Sequence, residues 1–165
     1  MHSPVPDCQK SHWKEHKPLC NSLKGGTWTR VKVTPESPEM RKFPGKKFSM
    51  AYINHSSTEP IQMHYDGTIT TPPNIHGDRP FMVKIQKPYG FDSEGDPAML
   101  IYDRQRTIHL YIWKEENGAA WELGERAIRD LPVGKRMKIY RWAKRIGELE
   151  MSICFDRLPV QDPQW

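Results

Sequence analysis

The sequence predicts an α+β fold, an antiparallel sheet of hairpins with one covering helix, preceded by a short N-terminal helix. Three observations predict it. Residues 80–157 carry apolar runs of strand length set apart by polar turns, and between them one stretch changes to helical periodicity. Most of the 15 prolines fall in the first 97 residues, where they keep long helices from forming.

The chain divides into three parts. Residues 1–24 form a short basic segment in which "SHWKEHK" holds good helix formers, with Asp7 or Ser11 as the cap and Pro18 ending the helix near Lys17. Residues 25–79 are rich in Pro, Gly, Ser and Thr. Within them "TWTRVKVT" alternates like a strand over 27–34 and "FSMAYIN" reads as another short element, while "HSSTEP" and "TTPPNIHGDRP" read as loop. Residues 80–165 form the α+β domain. "FMVKIQ" is a strand at 81–86, and "AMLIYD" and "TIHLYIW" make a hairpin across the polar turn at 103–106. "AAWELGERAIRDL" puts Trp121, Ala127, Ile128 and Leu131 on one helical face, and Pro132 and Gly134 end the helix. "RMKIYRWAKR" and "ELEMSICF" make a second hairpin turning at Ile146-Gly147, with Cys154 as a buried thiol.

Composition bounds the function. Hydrophobic residues make up 36% of the 165 residues, and mean hydropathy is -0.78, which predicts one modest core and long surface loops. A net charge of +5 and a pI near 9.1 favour anionic partners without choosing among them. No segment has the run of about 18 apolar residues that a membrane span needs. Three widely spaced cysteines read as thiols or metal ligands in a reducing compartment, cytoplasmic or nuclear.

The densest chemistry lies in "CQKSHWKEHKPLC". Cys8, His16 and Cys20 stand at C-x7-H-x3-C, with Gln9-Lys10, Trp13 and Lys17 inside the pattern. This resembles the end of a MYND-type zinc finger of fungal type, matching the lettered positions of C-Q-K-x2-W-x2-H-K-x2-C. The resemblance covers residues 7–20, and "NIHGDRPFMVKIQ" and "YDRQR" add a fainter likeness to regions attached to such fingers. It implies two interleaved structural zinc sites, with Cys8, His16 and Cys20 as the last three of eight ligands. Pro4 stands where the fifth ligand belongs, so the N-terminal helix is the remnant of a finger whose earlier half is expected upstream. Structural zinc needs a closed tetrahedral set, so zinc is expected to be weak or absent in this chain unless that half is supplied. The resemblance further implies a non-enzymatic protein that engages a protein or a proline-containing peptide.

Two alternatives stand beside that reading. Lys135, Arg136, Lys138, Arg141, Lys144 and Arg145 cluster around Tyr140 and Trp142, which suits nucleic-acid binding through the basic strand 135–145. Glu148 and Glu150 lie across the hairpin, placed to neutralise part of that charge. Asn54-His55-Ser56 resembles the short signature of SET-type lysine methyltransferases, though no companion motif follows it. His64 with Asp66, and His76 with Asp78, are the remaining candidate acid–base pairs.

Overall fold

The computed structural model describes residues 17, 21, 23–87, 97–132, 137–161, 163 and 165. The fold is α+β, as the sequence predicts; residues 1–16, where the short N-terminal helix is predicted, lie outside the described residues. Strands β1 (Trp28–Lys32), β4 (Phe81–Gln86), β5 (Ala98–Asp103), β6 (His109–Trp113), β7 (Lys138–Gly147) and β8 (Glu150–Cys154) form one antiparallel sheet in the order β1-β8-β7-β4-β5-β6. A second hairpin, β2 (Phe48–Tyr52) with β3 (Ile61–Tyr65), stands apart from it. Helix α1 (Pro38–Lys42) is a short turn capped by Ser37, and α2 (Lys114–Arg129) is the main helix.

The six strands curl until the ends of the sheet meet. Just beyond β1, Thr34 bridges Tyr111 of β6 through N–H···O bonds of 3.0 and 2.7 Å. Asn117 completes the seam. Its amide oxygen accepts from Lys32 N at 2.8 Å, and its Nδ2 donates to Lys32 O at 2.9 Å and to Trp113 O at 2.9 Å. One side chain thereby stands in for a missing stretch of ladder. The sheet has no long open edge there, which removes a template for aggregation.

Alternation along each strand fills the interior. Val31, Val83, Ile85, Ile101, Leu110, Ile112, Ile139, Met151 and Ile153 are all buried and form one core. Helix α2 lays Ala120, Trp121, Gly124 and Ile128 onto this core. Gly124 permits the close approach, since a Cβ there would stand 3.2 Å from Met99 Sδ. The main sheet draws β1 from residues 25–79 and its other five strands from 80–165.

The predicted strands at 81–86 and around 98–113 match the observed ones. The helix starts five residues earlier than its periodicity suggests, directly after β6, with a non-helical residue at Asn117. The second predicted hairpin turns at Glu148-Leu149, slightly later than expected. Strand β3 and helix α1 were not apparent from the sequence.

Candidate functional site

Period-two alternation gives the barrel a polar and aromatic outer face. On β7 the odd positions Ile139, Arg141, Ala143 and Arg145 are buried, and Lys138, Tyr140, Trp142 and Lys144 face out. The strand order then brings residues far apart in sequence into rows. Trp28, Cys154, Trp142 and Met82 lie in register across β1, β8, β7 and β4. Tyr140, Lys84, Tyr102 and His109 form a second row across β7, β4, β5 and β6. Rings and cations therefore interleave in two dimensions.

The six-cation cluster of the sequence splits in two. Arg141 turns inward, donating through Nε to Phe155 O at 2.9 Å and through NH1 to Tyr140 O at 2.8 Å. Arg145 also turns inward, donating to Pro72 O at 2.5 Å, Glu148 O at 2.6 Å and Gly147 O at 3.3 Å. These two guanidiniums tie loops to the barrel. Lys135 and Arg136 lie outside the described residues. Lys138 and Lys144 remain on the outer face, joined by Arg30 and Lys32 from β1. Lys144 Nζ sits 4.8 Å from the centroid of the Trp28 ring. Glu150 pairs with Arg30 at 2.5 Å, so the anticipated neutralisation falls on β1 and leaves the β7 lysines unpaired with it.

Lys84 lies at the centre of the second row. Only 2% of its surface is exposed, and its Nζ lies 4.9 Å from the ring of Trp165 and 5.3 Å from those of Tyr102 and Tyr140. Burial pushes its pKa down to about 8, and Lys138 and Arg106 add to the shift. The same three cations, with Arg104, lower His55 after burial has done so first. Trp165 packs edge-on against Tyr140 and tilted against His55, and Tyr140 OH donates to its backbone oxygen. His55 Nε2 and Trp142 Nε1 are buried with no hydrogen-bond partner among the described residues.

The remaining sequence candidates resolve individually. Cys8, His16 and Cys20 all lie outside the described residues. Among the described residues no group of three or more His, Cys, Asp or Glu is placed to hold a metal ion. His76 bonds Asp103 at 3.1 Å in place of Asp78, and Asp103 also accepts from Ile108 N at 3.2 Å and from Thr107 Oγ1, so this carboxylate anchors a turn. His64 meets Ser49 Oγ at 2.7 Å, while Asp66 accepts from Thr68 N at 2.8 Å. Neither predicted His–Asp pair forms. Asn54 Oδ1 accepts from Ser56 N at 3.0 Å, which makes the Asn-His-Ser stretch an Asx turn. Cys154 is a buried free thiol in β8, as expected, and burial together with Asp156 pushes its pKa up to about 11.

Trp28, Lys84 and Tyr102 were missed as members of the site. The sequence signal for Lys84 was present: a lysine between Val83 and Ile85 in an otherwise apolar strand. Comparisons with family models, with curated proteins and with solved structures found no match.

Proposed function

We propose that the barrel is a non-catalytic binding module for single-stranded nucleic acid, held along the outer face of β1, β8, β7 and β4. The observation that supports it is the pattern of outward positions on those strands. Trp28, Trp142 and Tyr140 offer rings beside Arg30, Lys32, Lys138 and Lys144, while Lys84 stays buried beneath them, and Glu150 is the one carboxylate among these positions. These three rings are partly covered, and a ring with a π face still open stacks on unpaired bases while neighbouring cations take up the phosphates. A sheet face suits a single strand better than a duplex, whose bases are already stacked.

Fluorescence anisotropy with a labelled oligothymidylate of about 12 nucleotides tests this reading. Saturable binding is expected at low salt, weakening linearly in log K against log salt. Trp28→Ala or Trp142→Ala should each weaken it by roughly 5- to 100-fold, the worth of one stacked base. Lys138→Gln should reduce the salt slope by about 0.7, the share of one phosphate contact. Absence of saturable binding, or tryptophan variants that bind like the parent, would remove the proposal.

A second reading rests on "CQKSHWKEHKPLC". In it Cys8, His16 and Cys20 are zinc ligands once the earlier ligands are supplied, and a protein or proline-containing peptide is the partner. Zinc retained by the purified chain after dialysis should be well below one ion per chain, because the tetrahedral set is incomplete. A full equivalent would mean that other residues close the site. Both readings place the protein in the cytoplasm or nucleus. Among the described residues, no helix is long and apolar enough to cross a membrane.

A further inference from the structure

A second concavity lies between the β2–β3 hairpin and the barrel. It has a volume of about 490 Å³ and shares no lining residue with the outer-face rows except His109. Met40, Ile61, Met63 and Ile69 supply apolar wall, and Arg106 and His109 supply polar groups. Pockets of this size and character suit small molecules.

Arg106 is the unusual member. Its φ of 53° places a non-glycine residue in the left-handed region, a conformation that costs free energy and that surrounding structure must enforce. The turn that enforces it is closed by Arg106 N donating to Asp103 O at 3.0 Å. The guanidinium is thereby laid over the ring of Tyr102 at 3.8 Å and near that of Tyr52 at 4.7 Å. Its Nε donates to Ile53 O at 3.2 Å and its NH1 donates to His109 Nδ1 at 3.0 Å. With Nδ1 as acceptor, the His109 proton sits on Nε2 and points to Tyr111 OH at 3.3 Å.

No carboxylate of the described residues lies within ion-pair distance of Arg106. Among the described residues its partners are the rings of Tyr102 and Tyr52, the carbonyl of Ile53 and the imidazole of His109. A half-buried cation without a counter-ion is costly, and an anion entering beside it recovers that cost.

We propose that this cavity binds a small monocarboxylate with an apolar body, its carboxylate paired with Arg106 and its body against Met40, Ile61, Met63 and Ile69. One charge fits better than two. Among the described residues Arg106 is the one guanidinium that lines the cavity, and Asp66 on its wall opposes a more highly charged ligand. A planar carboxylate also matches the guanidinium fork.

Titration calorimetry with sodium octanoate, and with octanamide as its neutral isostere, tests the assignment. Octanoate should bind at least about 10-fold tighter than octanamide, the usual worth of a charge-assisted hydrogen bond. Arg106→Gln should weaken octanoate by about 10-fold or more and leave octanamide unchanged. Ile69→Trp, at a half-exposed wall position, should block both ligands by filling the cavity while circular dichroism stays that of the parent. If Arg106→Gln does not fold, the octanoate-to-octanamide ratio of the parent and the Ile69→Trp variant decide the matter. Equal binding of the two ligands, no saturable heat with octanoate, or Ile69→Trp binding octanoate as the parent does would each overturn the proposal. Oligothymidylate binding by Arg106→Gln should be unaffected, which keeps this test separate from that of the outer face.

Discussion

Trp121→Ala is expected to cost about 3–5 kcal/mol of folding stability, near the top of the range for a single substitution. Trp121 is 2% exposed and lies on the face of α2 that packs against the barrel interior. Leu123, Ala127 and Leu131 flank that face and are only partly buried, so they cannot move inward to fill the space without exposing the helix. Against the roughly 5–15 kcal/mol that holds a typical domain together, the loss is severe. One term works the other way. Trp121 Nε1 is buried without a hydrogen-bond partner among the described residues, and deleting an unmet donor returns about 1–3 kcal/mol. Trp121→Phe keeps most of the volume and removes the donor, so it should cost far less than alanine. Urea unfolding followed by circular dichroism gives both values. Equal losses for Phe and Ala would mean that the indole N–H has a partner and that its bond, more than its volume, matters.

The sequence shows which of these features are local and which are not. "FMVKIQ" was legible as β4 because β-branched and aromatic residues alternate between polar flanks, and no distant contact was needed to define its ends. The first turn of α2 was not legible. Lys114 to Gly118 have no apolar periodicity, and Trp113 offers no side-chain cap. That turn is held by the Asn117 amide on the backbone of Lys32, 85 residues away. The closing of the sheet is hidden for the same reason, since it depends on Thr34 meeting Tyr111. Strand β3 escaped notice because Ile61, Met63 and Tyr65 are only half-buried, against the hairpin's own surroundings and away from the main core. At the site, "KIYRWAKR" was legible as a basic strand holding Tyr140 and Trp142, and its alternation in the structure puts both rings on one face with Lys138 and Lys144. Trp28 and Lys84 join them only through the non-sequential order β1-β8-β7-β4, which no local pattern encodes.

Mild acid is expected to weaken the protein through His109. The ring is 5% exposed, with Tyr52 at 4.3 Å, Tyr111 at 5.7 Å, Tyr102 at 6.5 Å and the Arg106 guanidinium bonded to its Nδ1. Burial first, and Arg106 second, push its pKa down to about 3. In the unfolded chain the same group titrates near 6.5. Between those two values the unfolded state takes up a proton that the folded state refuses. The stability is therefore complete above about pH 6.5 and falls as the pH drops through this window, by about 1.4 kcal/mol per unit. That amounts to about 2 kcal/mol at pH 5 and about 3 kcal/mol at pH 4. His55, also lowered, adds a loss of the same sign. Carboxylates with lowered pKa, such as Glu125, add their own loss only as the pH nears the ordinary carboxylate value of 4.5, at the acid end of this window. His109→Gln isolates the effect, because an amide oxygen still accepts from Arg106 and never titrates. Urea midpoints measured from pH 7 to pH 4.5 should fall steeply for the parent and much less for the variant. Parallel falls in the two proteins would show that His109 is not the group responsible, and that its ring meets solvent or a counter-ion when it charges.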